Sequence, residues 1–183
     1  KLELIVDGIV VDPLAGTTNT NPIANNDTAS TSEDFAVSIN VLANDTDADG
    51  NPLNVVTAVA SHGTVVINAN NTLTYTPNGN YNGADTIAYS VSDGKGGSAS
   101  ATVDVSISAV NDAATITGTS TGAVSEDGAI TTSGSIFVSD ADTGQNQLLA
   151  QTGIQGTYGV FAVTAAGSWT YQLSNSSAIV QTL

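Results

Sequence analysis

The residues best suited to chemistry in this chain are carboxylates held in short clusters. Asp47-Ala48-Asp49-Gly50 follows Asn44-Asp45-Thr46. Alternate side chains of an extended chain point the same way, so an Asp-x-Asp pair presents two carboxylates together. Their mutual repulsion amounts to roughly a few kcal/mol at protein-like dielectric, and a hard divalent cation relieves it. Calcium suits such a loop better than magnesium, because it accepts more oxygens in looser geometry, backbone and Asn carbonyls included. An Asp/Asn/Gly turn serving only backbone hydrogen bonds is the alternative for one isolated loop. Recurrence favours metal. Asp140-Ala141-Asp142 repeats Asp47-Ala48-Asp49 at a spacing of 93 residues, and Ser125-Glu126-Asp127 repeats Ser32-Glu33-Asp34 at the same spacing. No Glu closes the loop and no helices flank it, so an EF-hand is a poor match.

Other chemistries find little support. The chain has no cysteine, hence no disulfide framework and no thiolate site. His62 is the single histidine and reads as a surface turn residue before Gly63. No Gly-x-Ser-x-Gly nucleophile motif occurs. The acidic pairs could serve as general acid and base, but they sit in loops without aromatic residues to form a sugar platform. Trp169 and Tyr171 flank Thr170 and so share one strand face, where they read as core filling. Lys95 lies among glycines and reads as a solubilising turn residue. With 17 acidic residues, two lysines, no arginine and a net charge of −15, phosphate binding lacks its clustered cations, which argues against nucleic acid as a partner. No apolar run approaches the ~18–20 residues a membrane span requires. The reading is therefore non-enzymatic.

The elements that position the carboxylates are strands. Small polar residues alternate with β-branched ones, and segments able to form helix are hard to find. Leu2–Val6 and Ile9–Val11 flank an Asp7-Gly8 turn, and residues 12–26 read as a linker. Then come strands at Phe35–Leu42, Leu53–Val59, Gly63–Ile67, Leu73–Thr76, Asp85–Val91 and Ala99–Ile107, with Asn70-Asn71 as a hairpin turn. About seven short strands with turn signals every 8–12 residues predict a β-sandwich. After Val110 the sequence starts again. Besides the acidic motifs, Gly63-Thr64 recurs as Gly156-Thr157, and Thr74-Tyr75 recurs as Thr170-Tyr171 after a three-residue insertion. The predicted organisation is an N-terminal strand segment and linker over 1–21, a sandwich over 22–110, and a second over 111–183. The second copy has no counterpart to residues 85–108, so it is incomplete in this chain. Two readings of that gap stand open: the chain is a fragment of something longer, or a strand from elsewhere fills it, with residues 1–11 as an orphan donor. The absence of a basic-apolar signal region at Lys1 fits a processed product or an excerpt.

Strand directions place the acidic groups at two poles. Asp47, Asp49 and Asp93 are expected at one, completed by linker groups near Asn19 and Asn21. At the other, Glu33 and Asp85 are expected with Asn111 and Asp112, plus Asp140 and Asp142 from the next domain, forming an interdomain clamp. Glu126 is the second copy's counterpart of Glu33.

Pro22–Asp27, Ser32-Glu33-Asp34, Val41–Gly50 and Tyr89–Gly97 resemble the cadherin-like repeats of large bacterial surface adhesins. Val124–Gly128, Val138–Asp142 and Trp169–Ala178 resemble the related VCBS repeat of the same RTX-type proteins. The resemblance covers about residues 20–183. It implies tandem Ig/cadherin-like Greek-key sandwiches, secretion to a bacterial cell surface, Ca2+ at domain junctions, and service as a stiff extender in adhesion or biofilm. Carried over residue by residue, it supports Glu33, Asn111, Asp112, Asp140 and Asp142 at one junction. Asn111-Asp112-Ala113 lacks the fuller acidic linker of animal cadherins, which leaves the number of ions open. The implied partners are neighbouring domains or identical subunits, with a surface glycan or protein as receptor. Two alternatives are an extracellular filament subunit that donates strand 1–11 into a neighbour's incomplete second domain, and a carbohydrate-binding module using Trp169 or Tyr171.

Overall fold

The computed structural model describes residues 4–6, 9–11 and 18–182. The expectations for Leu2, Glu3, the Asp7-Gly8 turn and linker residues 12–17 fall outside these. The described chain is all-β apart from one short 3-10 turn at Val180–Thr182. It divides into two compact units, Lys1–Val110 and Asn111–Leu183.

Unit 1 opens with β1 (Leu4–Val6) and β2 (Ile9–Val11), an antiparallel pair with Ile5 opposite Val10. Seven further strands follow: β3 (Asp27–Ser32), β4 (Val37–Ile39), β5 (Asn54–Ala60), β6 (Gly63–Ile67), β7 (Leu73–Pro77), β8 (Gly83–Ser92) and β9 (Ser98–Ser108). They form one sheet in the order β3-β9-β8-β5 and another in the order β4-β7-β6. The strict alternation in β7, β8 and β9 turns one side chain in two inward. Leu73 and Tyr75 from β7 thus meet Ile87, Tyr89 and Val91 from β8 and Val103, Val105 and Ile107 from β9 in a single core. The first strand of the sandwich, β3, runs parallel to the last, with Asp27 opposite Val103 and Ser32 opposite Ser108.

The Asn70-Asn71 turn joins β6 to β7 as expected, with Asn71 in the left-handed region at φ 62°. Two local expectations fail. Asp27-Thr-Ala-Ser-Thr-Ser forms a strand although it carries no large apolar residue. It lies at a sheet edge, where backbone pairing to β9 suffices. Conversely, of the predicted Phe35–Leu42 strand only Val37–Ile39 pairs, and Phe35 is largely exposed.

Unit 2 contains β10 (Thr115–Gly118), β11 (Thr131–Ser139), β12 (Gln151–Gln155), β13 (Gly159–Val163) and β14 (Ser168–Leu173). Among the described residues these make one sheet, in the order β10-β11-β14-β13-β12. Its centre β11-β14-β13 reproduces β4-β7-β6 of unit 1. The isolated bridge between Ile23 and Thr46 in unit 1 is likewise the counterpart of the β10–β11 pairing. Strand β5 pairs with β8, whereas its counterpart β12 stays beside β13; among the described residues no strand of unit 2 corresponds to β8.

The pairing also corrects one repeat assignment. Gly63 lies opposite Pro77, and it is Gly159, not Gly156, that lies opposite Leu173 in the matching position. A Cβ at Gly63 would overlap the Tyr75 ring and the Thr76 carbonyl; one at Gly159 would overlap the Tyr171 ring and the Gln172 carbonyl. The three-residue insertion therefore precedes β13, so that a glycine stays under each tyrosine.

Gly63→Ala is accordingly expected to destabilise unit 1 by about 1–3 kcal/mol through overpacking, read from urea unfolding. Wild-type stability in that variant would contradict the assigned role of this glycine.

Candidate functional site

The Asp-x-Asp loops have the same internal geometry in both units. Asp47 Oδ1 accepts the backbone N–H of Asp49 at 2.9 Å, and Asp140 Oδ1 accepts that of Asp142 at 2.8 Å. In each case the second aspartate reaches back to the incoming linker. Thr20 N–H donates to Asp49 Oδ2 at 2.6 Å, and Asp112 N–H donates to Asp142 Oδ2 at 2.8 Å. A charge-assisted bond of this length is among the stronger hydrogen bonds available to a backbone amide. Asn111, beside Asp112, donates its side-chain amide to the Asp112 carbonyl.

In unit 1 the loop extends into a wider network. Asn51 donates its backbone and side-chain N–H groups to Asp47 Oδ1 at 3.1 and 3.4 Å, and its amide also reaches Asn19 Oδ1 at 3.2 Å. Asn19 in turn donates to Asp93 Oδ2 at 2.6 Å. Asp93 sits in the turn between β8 and β9, buried, and its Oδ1 accepts the N–H groups of Lys95 and Gly97. The Asn19 amide, opposed by desolvation and aided by those two N–H groups, holds the Asp93 carboxyl below the usual carboxylate range. Asn19 and Asn51 thus link Asp93 to Asp47, while Asp49 joins through its own N–H on Asp47. Asn51 had no place in the expected ligand set. Asn21 has no side-chain hydrogen bond in this network.

Asp47 Oδ2 is buried and has no hydrogen-bond partner. An orphaned carboxylate oxygen costs about 1–3 kcal/mol or more in a protein interior. The network that holds Asp47 is built from carboxylates and side-chain amides, whose oxygens are the ligands calcium prefers. Carboxylates alone do not complete such a site: no three His, Cys, Asp or Glu side chains among the described residues are grouped to hold a metal. Any ion here would draw on the Asn19 and Asn51 amide oxygens as well.

Glu33 and Asp85 have their own partners. Glu33 is 1% exposed, and its two oxygens accept Val110 N–H at 2.6 Å and the Asn82 amide at 3.1 Å. Glu126, its repeat counterpart, is half-buried beside Val124, Tyr158, Tyr171, Leu173 and Val180. Asp85 points into unit 1 and accepts the Tyr75 hydroxyl at 2.7 Å. It also accepts the backbone N–H groups of His62 at 3.0 Å and Thr86 at 2.8 Å, with Ser61 N–H and His62 Nδ1 farther off. Those donors account for both oxygens, and Asp85 anchors the turn between β5 and β6. His62 stacks on Tyr81 at 4.2 Å. Trp169 is buried, with its indole N–H on the Thr119 carbonyl at 2.6 Å, and so offers no sugar platform.

A third acidic group had no place in the sequence reading. The Tyr89 hydroxyl lies 2.9 Å from the Asn25 carbonyl, 3.1 Å from Asp27 Oδ2, 3.2 Å from the Val41 carbonyl and 3.4 Å from both Asp45 oxygens. It has one proton for five acceptors. Burial, reinforced by the Asp45 charge and only partly offset by Tyr89, raises the Asp27 pKa. The paired Asn26-Asp27 and Asn44-Asp45 were the only sequence signal.

Residues 19–106 match the sequence profile of a family described as Bacterial Ig domain. No curated protein matches the chain. Among solved structures, the chain is similar to protocadherin gamma B2 extracellular cadherin domains 3-6, at 15% identity and a TM-score of 0.49, over 83% of this chain and 38% of that one. It is also similar to the human Desmocollin-1 ectodomain, at 11% identity and a TM-score of 0.42, over 88% of this chain and 32% of that one. A third is an endo-fucoidan hydrolase of glycoside hydrolase family 107, at 15% identity and a TM-score of 0.37, over 90% and 26%. The chain thus spans well under half the length of each, and none of its residues takes a role from them.

The Asp85 network yields a pH prediction. Burial alone would raise the Asp85 pKa, but the bonds from Tyr75, His62 and Thr86 together outweigh it and set the folded value below the unfolded one. Its contribution is then complete above about pH 4 and lost as the pH falls through the lower, folded value. Asp85→Asn is expected to cost about 1–3 kcal/mol at pH 7 and to flatten the acid limb of stability against pH, measured by urea unfolding at several pH values. An unchanged acid limb would contradict this.

Proposed function

We propose that this chain is a non-enzymatic, calcium-stiffened extender segment of a bacterial cell-surface adhesion protein. The observation that carries the reading is the duplicated capture of an incoming linker amide by the second aspartate of each Asp-x-Asp loop, at Thr20–Asp49 and Asp112–Asp142. A loop serving one local turn needs no partner about thirty residues upstream. This one holds the backbone leading into its unit, twice. The orphaned Asp47 oxygen supports a cation in addition. In unit 1, Asp47, Asp49, Asp93, Asn19 and Asn51 would hold it; in unit 2, Asp140 and Asp142 with Asn111 and Asp112. A bound Ca2+ supplies the positive charge that this chain's side chains largely lack. The protein's own groups do the rest: Asp49 and Asp142 fix the linker amides, while Glu33 fixes Val110. Loading converts a loose linker into an ordered one and stabilises the folded state by mass action. Extracellular placement accords with the match to a bacterial Ig domain and with a surface chemistry dominated by carboxylates and small polar residues.

Adding calcium to chelated protein is expected to raise the melting temperature by several degrees, since about 1 kcal/mol shifts Tm by some 2–8 °C in domains of this size. Asp47→Ala should abolish most of the shift in unit 1 while leaving its sandwich folded. A calorimetric scan with no calcium-dependent change would remove the reading.

A further inference from the structure

The sandwich of unit 1 has two open seams, where the edges of its sheets lie side by side, and they differ in charge. Strands β3 and β4 flank one seam, with Asp27 at the start of β3 and Glu33-Asp34 between the two strands. Strands β5 and β6 flank the other. From Gly50 to Ala84 the sequence has no Asp, Glu, Lys or Arg, although the whole chain carries −15. Exposed along this second seam are Val56 and Val59 on β5 and Val66 and Ile67 on β6.

An unpaired strand edge is a template for another strand, and natural sheets guard theirs with charge, proline, bulges or brevity. Most edges here are guarded in this way. Strand β3 carries Asp27, and β4 has three residues. In β5 the register shifts between Val55 and Thr57, and in β12 between Gln151 and Ile154. Strand β10 has four residues and ends on Gly118 at φ 105°. Strand β6 has none of these devices. Gly63-Thr-Val-Val-Ile pairs with β7 in unbroken register from Gly63–Pro77 to Ile67–Leu73, and its other edge is open.

We propose that β6 is a self-pairing edge, and that a second copy of this chain docks on it through its own β6. The partner follows from charge. Of the two seams of this unit, the β3–β4 seam would bring carboxylates against carboxylates, whereas the β5–β6 seam lets two copies of this −15 chain meet without that repulsion. Antiparallel pairing of identical strands closes under a two-fold axis. Centred on Val65, it sets Thr64 against Val66 of the other copy and keeps both cores on one face of a continuous sheet; a one-residue slip would turn one core outward. The pairing joins β4-β7-β6 of the two copies into six strands. With about five residues on each side the interface is small, so association is weak and concentration-dependent. Salt should strengthen it by screening the remaining carboxylates.

The test is analytical ultracentrifugation of the 183-residue chain over a concentration series, at low and high salt, with and without chelator. The expected result is a reversible dimer that strengthens with salt and does not need calcium. Val66→Glu should weaken it at least tenfold. Val59→Glu, on the bulged β5 edge, should leave it within about threefold. Val66 is 57% exposed, so that variant should fold; if its thermal melt differs from wild type, Thr64→Glu on the same outward edge is read instead. A wild-type chain that stays monomeric throughout overturns the proposal. So does a dimer that survives the β6 charge, as pairing through residues 1–11 would, or one that the β5 charge disrupts equally.

Discussion

Seventeen carboxylates share this chain with two lysines, no arginine and one histidine, and that shortage of cationic side chains governs much of the structure. A buried or half-buried carboxylate must find donors or be neutralised, and here the donors are mostly neutral. Asp93 takes two backbone N–H groups and an amide, Glu33 a backbone N–H and an amide, and Asp85 a phenol and the backbone of a turn. Among the described residues the close ion pair is His62–Asp85 at 3.3 Å, and it is ionic only when the imidazole is protonated. Acidic residues thereby become organisers of backbone. Each one gathers a loop, a turn or a linker around itself.

That arrangement explains why the linkers are specified. Val110 gives its N–H to Glu33 and Asp112 gives its own to Asp142, so consecutive stretches of backbone at the end of one unit and the start of the next are each held by a carboxylate. Thr20 is held by Asp49 in the same manner. Charge concentrated at such points is costly in the absence of cations. Asp47 Oδ2 is buried with no hydrogen-bond donor to offset it.

Much of the architecture was legible because it rests on period-two burial. Leu73, Tyr75, Ile87, Tyr89 and Val91 announce β7 and β8 by alternation alone, and they are the buried residues of the core. What escaped detection rests on backbone or on long-range convergence. Strand β3 has only small or polar side chains, Ala29 alone packing on the core, and pairing with β9 places it. The Tyr89 hydroxyl draws Asp27 and Asp45 together from positions 62 and 44 residues away, a convergence no local pattern announces. Asn51 was overlooked because an amide looks like turn filler until its two neighbours are located. Strand direction brings Asp93 and the Asp47–Asp49 loop to linker residues Asn19 and Thr20, whereas the Asn51 amide that connects them has no local signal. The Gly156 assignment failed because sequence spacing cannot locate an insertion; the ring of Tyr171 can.

The two units show how far one acidic loop can be reused. The sheet beneath it is a full sandwich in unit 1 and a single layer in the described part of unit 2, yet the loop geometry agrees to within about 0.2 Å in both of its hydrogen bonds. The motif belongs to the linker and its loop, and the second sheet is not needed to form it. The most direct measurement is residue-resolved amide hydrogen exchange at Thr20 and Asp112, with calcium and with chelator. The account gives protection at both amides, increased by calcium and lost at Thr20 in Asp49→Asn. Exchange at the rate of a free linker under both conditions would contradict it.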